Sequence, residues 1–133
     1  MSVIKFADTN IIVYAVGKDS EHRAIARRII ADGVIVSTQV INETISVLTR
    51  KQRASLAAAH EVAESLLDLC DTLPVDVQTI RKAIDLAKRY QFSHWDSLIV
   101  AAALLANCET LYSQDMQHGQ TIDDRLKIVN PFL

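Results

Sequence analysis

Glycine and proline are scarce, three and two among 133 residues, against averages of about 7% and 5%. A β-sandwich or barrel needs many tight turns, so an all-β fold is excluded. Cysteine occurs only at Cys70 and Cys108. That spacing excludes a disulfide framework and a Cys-x-x-Cys metal pair, and both thiols read as small buried hydrophobes. Neither sign of charge dominates: 14 Lys+Arg against 16 Asp+Glu give a formal net charge of −2. The chain is no polybasic binder, so any nucleic-acid contact must come from a local patch. The longest strictly apolar run, Leu98 to Ala106, is nine residues, too short to cross a membrane. Met1 to Asp8 has no basic n-region and no long apolar core, so no secretory leader is expected and the chain reads as cytoplasmic.

What is present is apolar residues, 50% of the chain and evenly spread, which excludes disorder. The length fits one domain, residues 1–133, with its own core. Val3–Ala7, Val34–Ser37, Asp71–Val75, Thr110–Ser113 and Leu126–Val129 read as short strands, the third weakened by Pro74. Between them the spacing predicts helices over Ile11–Val16 (capped by Asn10), Ser20–Ala31, Ser37 or Thr38 to Lys51, and Leu56–Leu69. Two more follow, Val77–Tyr90 (capped by Asp76) and Trp95–Asn107. Ala24, Ile25, Ile29 and Ile30 are the expected core face of the second helix. Alternating strands and helices imply a three-layer α/β/α sandwich, with a central parallel twisted sheet of four to five short strands. In such sheets, chemistry collects at the carboxyl ends of strands where strand order reverses.

Four acids interrupt apolar patterns. Asp8 continues the parity of Ile4 and Phe6. Glu43 lies between Val40 and Val47 on an apolar helical stripe. Asp96 precedes Ile99 and Val100 on another, and Asp115 follows the fourth strand by two residues. Each comes just after a strand or early in a helix, so all four can meet at one edge of the sheet. Two carboxylates about 5.5 Å apart repel by roughly 3 kcal/mol at an effective dielectric near 20. A hard divalent cation is the simplest reason to gather them, because Mg²⁺ and Mn²⁺ take carboxylate oxygens and water.

Phe6–Ala15 (FADTNIIVYA), Ser93–Ala103 (SHWDSLIVAAA) and Leu111–Gln120 (LYSQDMQHGQ) resemble PIN-domain nucleases, and more narrowly the VapC-like ribonuclease toxins of bacterial toxin–antitoxin pairs. The resemblance covers nearly the whole chain. It implies that Asp8, Glu43, Asp96 and Asp115 form the catalytic and metal-binding quartet. It also implies that Thr9 or Asn10, together with Ser113, orient the acids by hydrogen bonds. Gln114 stands where relatives often carry a second acid. The implied partners are an RNA substrate, a small antitoxin covering the acidic site, and a second copy in a homodimer.

The implied chemistry is hydrolysis of RNA phosphodiesters by water activated at one or two Mg²⁺ or Mn²⁺ ions. Asp8 and Asp96 are the expected direct or water-mediated ligands. Glu43 and Asp115 would complete the cage or orient the attacking water. Departure of the 3′ oxygen would leave 5′-phosphate ends. Arg50, Lys51 and Arg53 form a basic patch shortly after Glu43 that could track phosphates, or simply end a helix with favourable charge. The four histidines have no zinc-ligand spacing. The competing expectation is a catalytically silent PIN-like module that binds RNA or protein, which would have no need to keep all four acids. A receiver-type phosphoacceptor would carry adjacent acids after its first strand, whereas Asp8 is followed by Thr9 and Asn10.

Overall fold

The short apolar runs fold into short strands, separated by helices that start at Ser and Asp caps. The computed structural model describes residues 3–133. In chain order these are β1 (Lys5–Ala7), α1 (Thr9–Ala15), α2 (Ser20–Ala31), β2 (Ile35–Ser37), α3 (Thr38–Arg50) and α4 (Leu56–Leu69). Then come β3 (Asp71–Leu73), α5 (Val77–Tyr90), α6 (His94–Leu105), β4 (Thr110–Tyr112), β5 (Thr121–Ile122) and β6 (Leu126–Val129). The sheet order is β3-β2-β1-β4-β6-β5, parallel throughout except for β5, which runs antiparallel to β6. Strand order reverses about β1, between β2 on one side and β4 on the other. Right-handed crossovers then place α1–α4 on one face and α5–α6 on the other.

Phe6, Val36, Leu111 and Ile128, one from each of the four central strands, are fully buried. Every residue of α6 from Ser97 to Leu104 is buried too, so this helix is apolar all round, as a helix enclosed by core must be. Cys70 and Cys108 are free and buried. Burial pushes the Cys108 thiol up to about 12 and raises Cys70 as well, so neither is a nucleophile near neutral pH.

Several expectations are corrected. The sheet has a sixth strand, β5, in a stretch where the sequence pattern predicts no strand. Its turn places Asp123 and Asp124 at φ 52° and 53°, and Arg125 N–H donates to the Ile122 carbonyl at 3.0 Å. This is the mirror-image turn that suits hairpins, built without the usual glycine. Three neighbours hold Asp123 in it. Arg89 contacts its carboxylate at 2.6 Å, Tyr90 donates to it at 2.9 Å, and Lys82 stands at 3.5 Å.

The first helix begins at Thr9, because Asp8 rather than Asn10 is its cap. Asp19 caps α2 by accepting a bond from His22 N–H. The buried face of α2 is Ala26 and Ile29, whereas Ala24 and Ile25 are exposed. Arg23 and Arg27, one turn apart, donate to the Gly17 and Ala15 carbonyls at 3.3 and 2.8 Å. That pins the arginine row of α2 against the end of α1, where unpaired carbonyls need donors. Ile4, placed inward by strand parity, lies before β1 and is 41% exposed.

Candidate active site: an acidic cavity at the switch point

The carboxyl ends of β1, β2 and β4 open onto a cavity of about 640 Å³ lined by Asp8, Glu43, Asp96 and Asp115. Asp8 is the residue after β1, and its amide continues the ladder by donating to the Tyr112 carbonyl at 2.9 Å. Glu43 stands on α3, which starts directly after β2. Asp96 is in the first turn of α6, three residues past the capping Ser93. Asp115 follows β4. Two walls rise from this floor. Thr9, Val13, Tyr14 and Gly17 on and after α1 form one, and Gln39, Glu43, Val47 and Lys51 on and just after α3 the other. Both sets repeat at three to four residues, so each is a single helical stripe.

Hydrogen bonds fix the acids. Asp8 accepts from Thr9 N–H at 2.7 Å on one oxygen and from the Ser113 hydroxyl at 2.8 Å on the other. Ser113 Oγ in turn accepts from Asp115 N–H at 3.2 Å. The Thr9 hydroxyl donates to Glu43 at 2.9 Å, and Asn10 Nδ2 donates to Asp115 at 3.1 Å. Thr9, Asn10 and Ser113 thus each bond an acid, where the sequence left Thr9 and Asn10 as alternatives.

Asp8 is buried, with 7% of its surface exposed. Burial lifts its pKa to about 6 despite the Ser113 and Thr9 bonds, and the charges of Glu43 and Asp96 push the same way. Asp96 is raised too, first by burial and then by the charge of Asp115. Among the described residues, none of the four acids takes part in a salt bridge. No close ion pair therefore offsets their repulsion.

These residues fit a hard cation. The donors are carboxylate oxygens, with no thiolate or imidazole lining the cavity, which favours Mg²⁺ or Mn²⁺ over Zn²⁺. Among the described residues, no three of His, Cys, Asp and Glu lie close enough to ligate one ion together. The spacing suits an ion that retains several waters and touches one or two carboxylates, as Mg²⁺ does.

Of the basic patch, Lys51 lines the cavity, while Arg50 and Arg53 do not; Lys18 joins it from the loop after α1. Sequence reading also missed Gln39. Its Nε2 donates to Glu43 at 3.4 Å and to the Trp95 carbonyl at 3.1 Å, tying α3 to α6. Its Oε1 is buried without a partner, yet flipping the amide would set oxygen against two acceptors. The available signal was its position one turn before Glu43. Gln114 faces α1: its side-chain oxygen accepts from the Tyr14 hydroxyl at 2.9 Å, and its N–H donates to Asn10 at 3.1 Å.

The same architecture recurs in solved structures of low sequence identity. VapC20 of Mycobacterium tuberculosis, described as a sarcin-ricin-loop-cleaving toxin, superposes with a TM-score of 0.70 at 20% identity, over 84% of this chain and 89% of its own. A toxin–antitoxin complex from Klebsiella pneumoniae gives 0.71 at 16% identity, over 98% of each chain. VapBC2 from Rickettsia felis, bound to a promoter DNA fragment, gives 0.69 at 17% identity, over 96% of this chain and all of that one. No curated protein matches in sequence. The family model of the PIN domain matches residues 5–121, which span the ends of β1, β2 and β4 and all four acids, and the chain belongs to the PIN-domain family.

Proposed function

We propose that this chain is a metal-dependent endoribonuclease, the toxin of a toxin–antitoxin pair, with residues 1–133 acting as one catalytic domain. The observation that carries the reading is the convergence of Asp8, Glu43, Asp96 and Asp115 on one cavity at the switch point. A Mg²⁺ or Mn²⁺ ion bound there would supply charge relief on the phosphoryl oxygens and acidify water. Asp8 and Asp96 would hold that ion, directly or through water. Asp8 is locked for this task by Thr9 and Ser113. Glu43, steadied by Thr9 and Gln39, and Asp115, steadied by Asn10, orient the attacking water and complete the cage. Lys51 and Lys18 on the cavity wall attract the phosphate backbone, giving RNA affinity that falls with salt. Arg50 and Arg53 extend that field beyond the wall.

The structural neighbours include toxin–antitoxin complexes, which supports a small antitoxin as partner; the working form proposed with it is a cytoplasmic homodimer. Among the described residues, no helix is long and apolar enough to cross a membrane. An arginine from the antitoxin laid into the cavity would neutralise the acids and exclude the cation. The decisive assay incubates purified protein with end-labelled single-stranded RNA in Mg²⁺, Mn²⁺ or EDTA, beside Asp8→Asn. Cleavage is expected with either ion, none in EDTA or with the variant, and 5′-phosphate product ends. Wild-type rates from Asp8→Asn, or 2′,3′-cyclic phosphate ends, would refute the mechanism. A silent binding module would bind the RNA and release it uncut in every metal.

A further inference from the structure

Trp95 is the chain's single tryptophan, and 63% of it is exposed. Its indole can bury about 150–250 Å², so such exposure is conspicuous, whereas leucines exposed singly on α4 are ordinary. Its position sets it apart. Trp95 lines the acidic cavity and also an adjoining one of about 530 Å³, and Gln39 and Glu43 border both. The second cavity adds Val75 and Leu98 as apolar lining and the Asn42 amide as a donor and acceptor. Glu43 is its only charged residue, so it is suited to neither a phosphate nor a metal. His94 meets the indole edge-on, with ring centroids 5.3 Å apart at 69°, and Gln39 anchors the Trp95 carbonyl. His94 thus packs against one edge of the indole, and Gln39 fixes the backbone that carries it, next to Asp96.

An apolar slot with one aromatic wall and an amide at its edge fits a planar heteroaromatic ring. Bases stack on such walls whatever their identity, and amides read their edges. We propose that the second cavity is a nucleobase subsite. A base of the strand whose phosphate lies at the four acids stacks on Trp95 and is read by Asn42. This rests on the ribonuclease reading, and it adds where the substrate's base goes and which residues set base preference. A nucleobase is favoured over an apolar peptide side chain because the slot shares Gln39, Glu43 and Trp95 with the acidic cavity, where the proposed phosphate lies.

Because Trp95 is the only indole, its emission reports stacking directly. RNA hexamers of each base, and a matching abasic hexamer, are titrated into the Asp8→Asn chain with Mg²⁺. Emission is followed alongside polarisation of the labelled oligomer. Saturable quenching by base-bearing hexamers and little by the abasic one is expected. Adding Trp95→Ala should weaken binding roughly 5- to 150-fold, with Trp95→Phe recovering most of it. Asn42→Ala should reorder the four bases. Circular dichroism of each variant checks the fold. Hexamer binding without an emission change, or equal binding of the abasic oligomer, would overturn the subsite while leaving the ribonuclease reading intact if wild type still cleaves. Quenching by an apolar peptide but not by RNA would overturn it in favour of a protein contact. Wild-type protein that neither binds nor cleaves RNA would overturn both.

Discussion

At the scale of single residues, Asp8 is held in conflict. Two donors stabilise its charge while burial and two neighbouring acids oppose it, and the balance leaves its pKa at about 6 rather than 3.8. Between those values the folded chain binds more protons than the unfolded one, so this residue makes stability fall as pH rises. About two pKa units correspond to roughly 3 kcal/mol, fully lost above pH 6. Asp8→Asn keeps an acceptor for Thr9 N–H and gains a donor toward Ser113. In EDTA at pH 7.5 the variant should melt several degrees above wild type, and at pH 4 nearly level with it. Equal pH slopes in melts of the two proteins would show that Asp8 does not carry the burial penalty. Sequence alone marked Asp8 as inward-facing. It did not mark Asp8 as the cap of α1, because Asn10 is an equally good cap by type.

At the scale of elements, α6 shows two electrostatic effects in opposition. Asp96 sits in the first turn, where the helix dipole favours a negative charge by about 0.3–1 kcal/mol. Burial and the charge of Asp115 nevertheless raise its pKa, so desolvation and repulsion together outweigh the dipole. Asp96→Asn should therefore raise the melting temperature in EDTA. Excess Mn²⁺ should restore wild type relative to the variant, since an ion bound only by the folded state stabilises it by mass action. A variant that melts well below wild type in EDTA and gains equally from Mn²⁺ would make Asp96 a structural helix residue. The helices themselves were the most legible parts of the chain. Leu56–Leu69 and Val77–Tyr90 run as their caps and periodicity predict, because a serine or aspartate before an apolar repeat is a local signal. The face of α2 was not legible. Arginine bonds to α1 set its rotation, and those partners lie on another element.

At the scale of the whole molecule, the far edge of the sheet depends on one carboxylate. Asp123 joins the β5–β6 turn to α5 through Arg89, Tyr90 and Lys82. Arg89, the strongest of these partners, holds its carboxyl well below the usual range. Its sign is opposite to that of Asp8: the stability it contributes is present above pH 4 and is lost as pH falls through its low folded value. Asp123→Ala should lower the melting temperature at pH 7 and have progressively less effect in acid, as read by thermal melts across pH. An equal loss at every pH would mean that the turn conformation, not the charge, is what Asp123 supplies. Because this contact lies across the sheet from the acidic cavity's walls, metal-dependent cleavage by the folded variant should remain near wild type.

The element types, the caps of α4 and α5 and the four misplaced acids were determined by the sequence itself, since each rests on neighbours within a few positions. Alternating short strands and helices also sufficed for a parallel α/β sandwich. Residues 8, 43, 96 and 115 become neighbours only because the sheet places β1 between β2 and β4, and that adjacency is a global packing choice. The β5–β6 hairpin likewise exists through Arg89, 34 positions away, rather than through its own turn residues. Gln39 and Trp95 acquire their places beside the acids when α3 and α6 meet above the sheet edge. Local periodicity can say that a side chain faces inward, but only tertiary structure decides what it faces, because burial and charge act between residues far apart in the chain.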